Sequence, residues 1–137
     1  MNKAIISTIG VCLVAAVGIN LLAQTRPYDQ IMKDVGATFA ALKKDIDSKA
    51  EQDAQQDATK LSALFKEVET FWMPLRSKEA LEHAKNMQGI AQNIVGAAKA
   101  DDLKRADTLY AGIGKTCKAC HDRHRVQMPD KSFKIRP

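Results

Sequence analysis

From Pro27 onward, apolar residues return at alternating steps of four and three. Tyr28, Met32, Val35, Phe39, Leu42 and Ile46 form the first such stripe, which predicts a helix from about Pro27 to Ile46 with one inward face. Pro27 suits the first turn of that helix, where a missing N–H costs nothing. Ser48-Lys49-Ala50-Glu51 reads as a capping box opening a second helix. Its apolar face is Ala54, Ala58, Leu61, Leu64 or Phe65, Val68 and Trp72, and Pro74 helps to end it. Ser77 is the cap of a third helix reaching about Ala100, with Leu81, Ala84, Met87, Ala91, Ile94 and Ala98 turned inward. Asp101 and Asp102 mark the next start, since carboxylates are favoured at a helix N-terminus. The fourth helix carries Leu103, Ala106, Tyr110 and Ile113 and is expected to run to about Gln127, before Pro129. The tail from Asp130 to Pro137 has no helical period and is expected to be extended. Four helices with short connections predict an all-α, antiparallel up-down four-helix bundle.

Upstream of Pro27 the pattern changes. Lys3 precedes an apolar stretch from Ala4 to Leu22, broken only by Ser7, Thr8, Gly10, Gly18 and Asn20. This reads as a secretory signal peptide over residues 1–23, cleaved after Ala23, with 24–137 as a single bundle domain. Leu21 is larger than the small residue usually found two places before the cut. The run also approaches the length of a membrane-spanning helix, so an uncleaved anchor is an alternative. A lipid-modified Cys12 is a further one, disfavoured by the bulky Val11 before it. All three readings export the domain.

Composition changes the picture little. Aromatic residues are 5% of the 137-residue chain, and the four Pro sit at or beyond segment ends, as a helical protein requires. The formal net charge is +5. Lys and Arg are scattered among acids along helix faces and form no block with interleaved aromatics, which argues against nucleic-acid binding. A weakly basic surface of this kind can steer an acidic partner.

The candidate chemistry lies on the last helix. Cys117-Lys118-Ala119-Cys120-His121 is a Cys-x-x-Cys-His motif. Two thiols spaced by two residues lie on one side of a helical turn, where they can add to the two vinyl groups along one haem edge. The adjacent imidazole then projects towards the iron. The motif therefore predicts one covalently attached haem c, with His121 as a metal ligand. A thioredoxin-like pair should sit in a βαβ context, and none is visible. A structural zinc site built from Cys117, Cys120, His121 and His124 would crowd four ligands into one short segment. A plain Cys117–Cys120 disulfide would leave His121 unexplained. His124 is expected to be partly exposed, and His83 lies beside the apolar stripe of the third helix; neither is expected to touch the iron.

A four-helix bundle with this motif near its C-terminus resembles the cytochrome c-prime family. The resemblance covers about Pro27 to Arg125. It rests on Ile31-Met32-Lys33-Asp34-Val35-Gly36, on Phe71-Trp72, and on Lys115-Thr116-Cys117-Lys118-Ala119-Cys120-His121-Asp122 followed by Arg125. It implies that Arg125, four residues after the haem His, lies near the iron-bound imidazole, although a surface Arg of the last helical turn is the plainer reading. The family's members differ in what faces the iron opposite the His, and the matching position is Met32. A thioether is soft enough to bind haem iron, and its inward phase on the first helix points the same way, although Met is also a common core filler. Met73, Met87 and Met128 are poorer candidates by position. Family members often carry an Arg four residues before the distal position. Here that residue is Tyr28 and the nearest Arg is Arg26, so a propionate contact by Arg does not carry over.

These readings predict a periplasmic electron carrier that serves redox partner proteins and has no catalytic reaction of its own. Cys117, Cys120, His121, Met32 and Arg125 would be its haem-binding residues, and His121 and Met32 its metal ligands. The mature domain would not contact a membrane unless the leader is retained. The alternative is a five-coordinate haem protein that binds nitric oxide or another diatomic gas. The resemblance also implies a homodimer through the first two helices, though their outer faces show no clear second apolar stripe.

Overall fold

A computed structural model describes residues 26–137; the segment read as a leader, including Cys12, lies outside the described residues. Four helices follow in order: α1 (Tyr28–Asp47), α2 (Glu51–Trp72), α3 (Lys78–Lys99) and α4 (Leu103–His124). Each packs on the next, most extensively α2 on α3, while α1 and α4 close the ring through the thinnest seam. The core runs along the bundle axis and holds Leu42, Ala54, Ala58, Leu61, Ala91, Ile94, Ala106 and Ile113. Alanines on α2, α3 and α4 let the helix axes approach closely, and Trp72, Met87 and Leu42 fill the wider layers. No described helix is long and apolar enough to cross a membrane.

The helix starts follow local chemistry. The Ser77 hydroxyl accepts from the Ala80 N–H, and the Asp102 carboxylate accepts from the Arg105 N–H at 3.0 Å, so both act as N-caps. The capping box expected at Ser48 does not form. Ser48 is still helical and closes α1 instead, its hydroxyl donating to the Asp45 carbonyl at 3.3 Å. Lys49 then turns left-handed with φ 58°, and the Ala50 N–H reaches back to the Asp45 carbonyl at 2.9 Å. This helix-closing pattern consumes the residues that the box would have needed.

The α1 stripe is rotated from the expected one. Ile31, Val35, Thr38, Leu42 and Ile46 are buried, whereas Tyr28, Met32 and Phe39 are half-buried on one flank. From that flank Tyr28 packs on Phe71 and Trp72 of α2, and Phe39 meets α4. The Phe39 ring stacks on Tyr110 with centroids 4.3 Å apart, the Tyr110 hydroxyl donates to the Phe39 carbonyl, and Lys43 pairs with Asp107 at 3.6 Å. The opposite flank faces α2, where Arg26 bridges Asp34 (2.5 Å) and Glu67 (2.9 Å). A similar small shift occurs on α3, where Ala80 and Ala97 are buried and Leu81 is half-buried.

α4 ends at His124, three residues short of the expected Gln127, and the tail is more ordered than expected. Arg125–Gln127 (β1) pairs antiparallel with Phe133–Ile135 (β2), Arg125 facing Ile135 and Gln127 facing Phe133. The turn is held by Asp130, whose carboxylate accepts from both the N–H and the hydroxyl of Ser132. Arg136 fastens the hairpin to the helix. Its guanidinium donates to the Arg123 carbonyl (2.6 and 2.8 Å) and the Asp122 carbonyl (3.3 Å), satisfying acceptors that the last helical turn leaves open. Arg136→Ala should therefore loosen the hairpin by about 1–2 kcal/mol. The check is hydrogen exchange: faster exchange is expected at the Val126 and Arg136 amides, with α2 and α3 unchanged.

Candidate haem site

The inward stripe of α4 changes character along its length. Ala106 and Ile113 are buried, Cys117, Cys120 and His121 are only half-buried, and His124 is buried again. The motif thus sits on the face turned to the bundle, in a stretch that neighbouring side chains cover incompletely. Both cysteines are free thiols. Burial pushes the Cys117 thiol up, and burial together with the nearby Cys117 pushes Cys120 up to about 11. Both are therefore neutral thiols at ordinary pH. For His121, burial first and the Arg125 charge second hold the imidazole below its ordinary range. A neutral imidazole has the free lone pair that a metal needs.

α1 supplies the facing wall. The two helices run antiparallel, with Phe39 opposite Tyr110 and Lys43 opposite Asp107. Further along, Tyr28 begins α1 towards the Cys120 end of α4, and Cys120 adds to the upward shift that burial gives its hydroxyl. Met32 stands one helical turn from Tyr28 and two turns from Phe39, half-buried against the core. Continuing the antiparallel register of Phe39 with Tyr110 and Lys43 with Asp107 brings its level to that of the Cys-x-x-Cys-His segment. The chemistry of the donor set fits a haem c: two unpaired thiols on one helical face, a neutral imidazole beside them, and a thioether on the helix across the seam.

Tyr28 and Trp72 close the end of the site. The Trp72 indole N–H donates to the Tyr28 hydroxyl at 2.9 Å, and the Tyr28 ring stacks on Phe71 at 4.1 Å. Burial raises the Tyr28 hydroxyl to about 12. Arg26 is held by Asp34 and Glu67 on the other flank of α1, away from the motif, so the missing family Arg is not replaced by its neighbour.

Arg125 is where the helix gives way to β1, not in a last helical turn. Its guanidinium lies over the Phe133 ring at 3.8 Å, and its charge reaches His121. His124 overturns its expectation: it is buried, with Nδ1 2.8 Å from the Arg136 carbonyl and its ring centroid 4.8 Å from that of Trp72. It continues the inward stripe one turn beyond Cys120, and that phase was the signal for its burial. His83 lies beside Glu79 on α3. Met87 is core, Met73 is exposed on the α2–α3 turn, and Met128 sits in the hairpin. Among the described residues, no three His, Cys, Asp or Glu side chains converge as a metal-holding group.

A helical bundle with free, inward-facing Cys-x-x-Cys-His residues on its last helix defines a haem-carrying c-type cytochrome. Residues 76–125, which span α3, α4 and the whole motif, match the family model described as Cytochrome C', so this stretch is similar to that family. No curated protein and no solved structure matches the chain significantly.

Proposed function

We propose that the protein is an exported, periplasmic electron carrier holding one haem c, bound covalently through Cys117 and Cys120, with His121 and Met32 as axial ligands. The haem supplies a one-electron ferrous/ferric couple. What supports the reading is Met32, half-buried against the core two helical turns from Phe39, whose ring stacks on Tyr110 of α4. Met32 and His121 would hold the haem iron between them, and a haem so held would serve electron transfer rather than substrate binding. Arg125 holds a positive charge near that imidazole, which disfavours protonation of the ring and so favours ligation. Tyr28, Phe71 and Trp72 exclude water from the end of the site. No catalytic reaction is assigned, and redox partner proteins are the proposed clients. A homodimer through α1 and α2 is the proposed assembly.

A second reading keeps one supporting observation. Met32 is half-buried and not locked in the core, and Met is a flexible side chain. If Met32 only packs, the iron is five-coordinate and open to nitric oxide. Stopped-flow mixing of the ferrous holoprotein with nitric oxide separates the two. The carrier reading predicts slow binding limited by ligand release. Rapid, concentration-dependent binding would replace it with the gas-binding reading.

A further inference from the structure

The C-terminal hairpin concentrates the charge of the molecule. Residues 125–137 hold Arg125, Lys131, Lys134 and Arg136 against the single acid Asp130, a net +3, which leaves +2 for the other 124 residues of a +5 chain. Asp130 is engaged by Ser132. Among the described residues, no carboxylate lies within ion-pair distance of Lys131 or Lys134.

The same element exposes apolar surface. Phe133 is 49% exposed, Val126 38% and Ile135 36%, and Met73 and Leu75 are the other large exposed apolar residues. Met73 and Leu75 follow Trp72, and Trp72 packs on His124 at the root of the hairpin, so all five lie at one end of the bundle. That is also the end where the haem motif lies. The hairpin is anchored there by the Arg136 contacts to the last carbonyls of α4 and by the His124–Arg136 pair.

We propose that this hairpin is the docking element for an acidic electron-transfer protein, an assignment that rests on the carrier reading above. Apolar side chains within a basic rim are the composition of a transient protein interface. The charge selects an acidic partner and speeds encounter. The anchoring on α4 brings that partner to the helix that carries the haem, which shortens the path for the electron.

The test uses the haem-loaded protein with an acidic flavodoxin as probe. Reduction of the ferric protein by flavodoxin hydroquinone is followed at about 10 mM and about 300 mM ionic strength. Lys131→Glu/Lys134→Glu should slow the low-salt reaction about tenfold and converge with the parent at high salt. Lys44→Glu/Lys49→Glu, an equal charge change at the far end of the bundle, should alter it less than about twofold. Reduction by a neutral quinol should be the same for all three proteins. No loss in the hairpin variant, or an equal loss in both variants, would overturn the docking element. So would hairpin-dependent binding to phosphatidylcholine/phosphatidylglycerol vesicles with flavodoxin reduction unaffected, since the hairpin would then meet a membrane. Calorimetric binding to oxidised flavodoxin, with no electron transferred, separates this proposal from the carrier reading. A five-coordinate protein that binds flavodoxin through Lys131 and Lys134 supports the docking element while refuting the ligand assignment, and a six-coordinate protein whose binding ignores both lysines does the reverse.

Discussion

A Cys117→Ser/Cys120→Ser protein, matured alongside haem-attachment machinery, is expected to emerge without covalent haem. Both thiols stand half-buried on the bundle-facing side of α4, and each is free. Ser keeps the size and polarity of the position but cannot form a thioether. Either single variant should retain one bond and some attached haem. Mass spectrometry of the denatured proteins checks this: the parent gains the mass of one haem, and the double variant gains none. The effect should extend to stability. A chain of this size buries a modest core, and the motif face is the least covered part of α4's inward stripe. A group that binds only the folded state stabilises it, so the double variant should unfold at lower temperature. An unchanged haem mass in the double variant would remove the motif reading altogether.

Met32→Ala should convert the iron from low-spin and six-coordinate to high-spin and five-coordinate. Loss of the thioether should lower the reduction potential by on the order of 0.1 V, because His/Met ligation favours the ferrous state. Nitric oxide should then bind the ferrous protein rapidly. Met73→Ala is the matched control. Met73 is 51% exposed on the α2–α3 turn, and its loss should leave both spectrum and potential unchanged. Voltammetry and ferrous optical spectra of the three proteins give the answer. A Met32→Ala protein with the parent's low-spin spectrum would show that Met32 only packs.

The helical architecture was legible because each helix is long and strongly periodic. Ser77 and Asp102 also announced their caps, since their side chains have no better local partner than the first free N–H groups. Ser48 misled because the same residue can close one helix or open the next, and sequence spacing does not say which. On α1, a step pattern of four and three fits two adjacent stripes equally well. Ile31 and Thr38 took the core, while Tyr28, Met32 and Phe39 took its flank. That rotation bears on the site, because it leaves Met32 half-buried beside the core and not locked within it.

The hairpin was missed for a different reason. Strands of three residues are too short for their alternation to stand out. Yet Val126 and Lys134 pair across it, and Pro129-Asp130 mark its turn. Its stability comes from Arg136, twelve residues beyond His124, and such a long-range cap leaves no local signature. His124 could have been read correctly. It falls on the phase of Ala106, Ile113 and Cys117, and that periodicity points inward even though the residue lies near the chain end. The motif cysteines and His121 needed no tertiary information, because their spacing alone carries the chemistry.

The central claim is that the iron lies between His121 on α4 and Met32 on α1. X-ray absorption at the iron edge of the ferric and ferrous holoprotein tests it most directly. The account predicts one sulfur ligand in the first shell of both oxidation states, absent from Met32→Ala and retained in Met73→Ala. A first shell of nitrogen alone, with the position opposite His121 open, would contradict it.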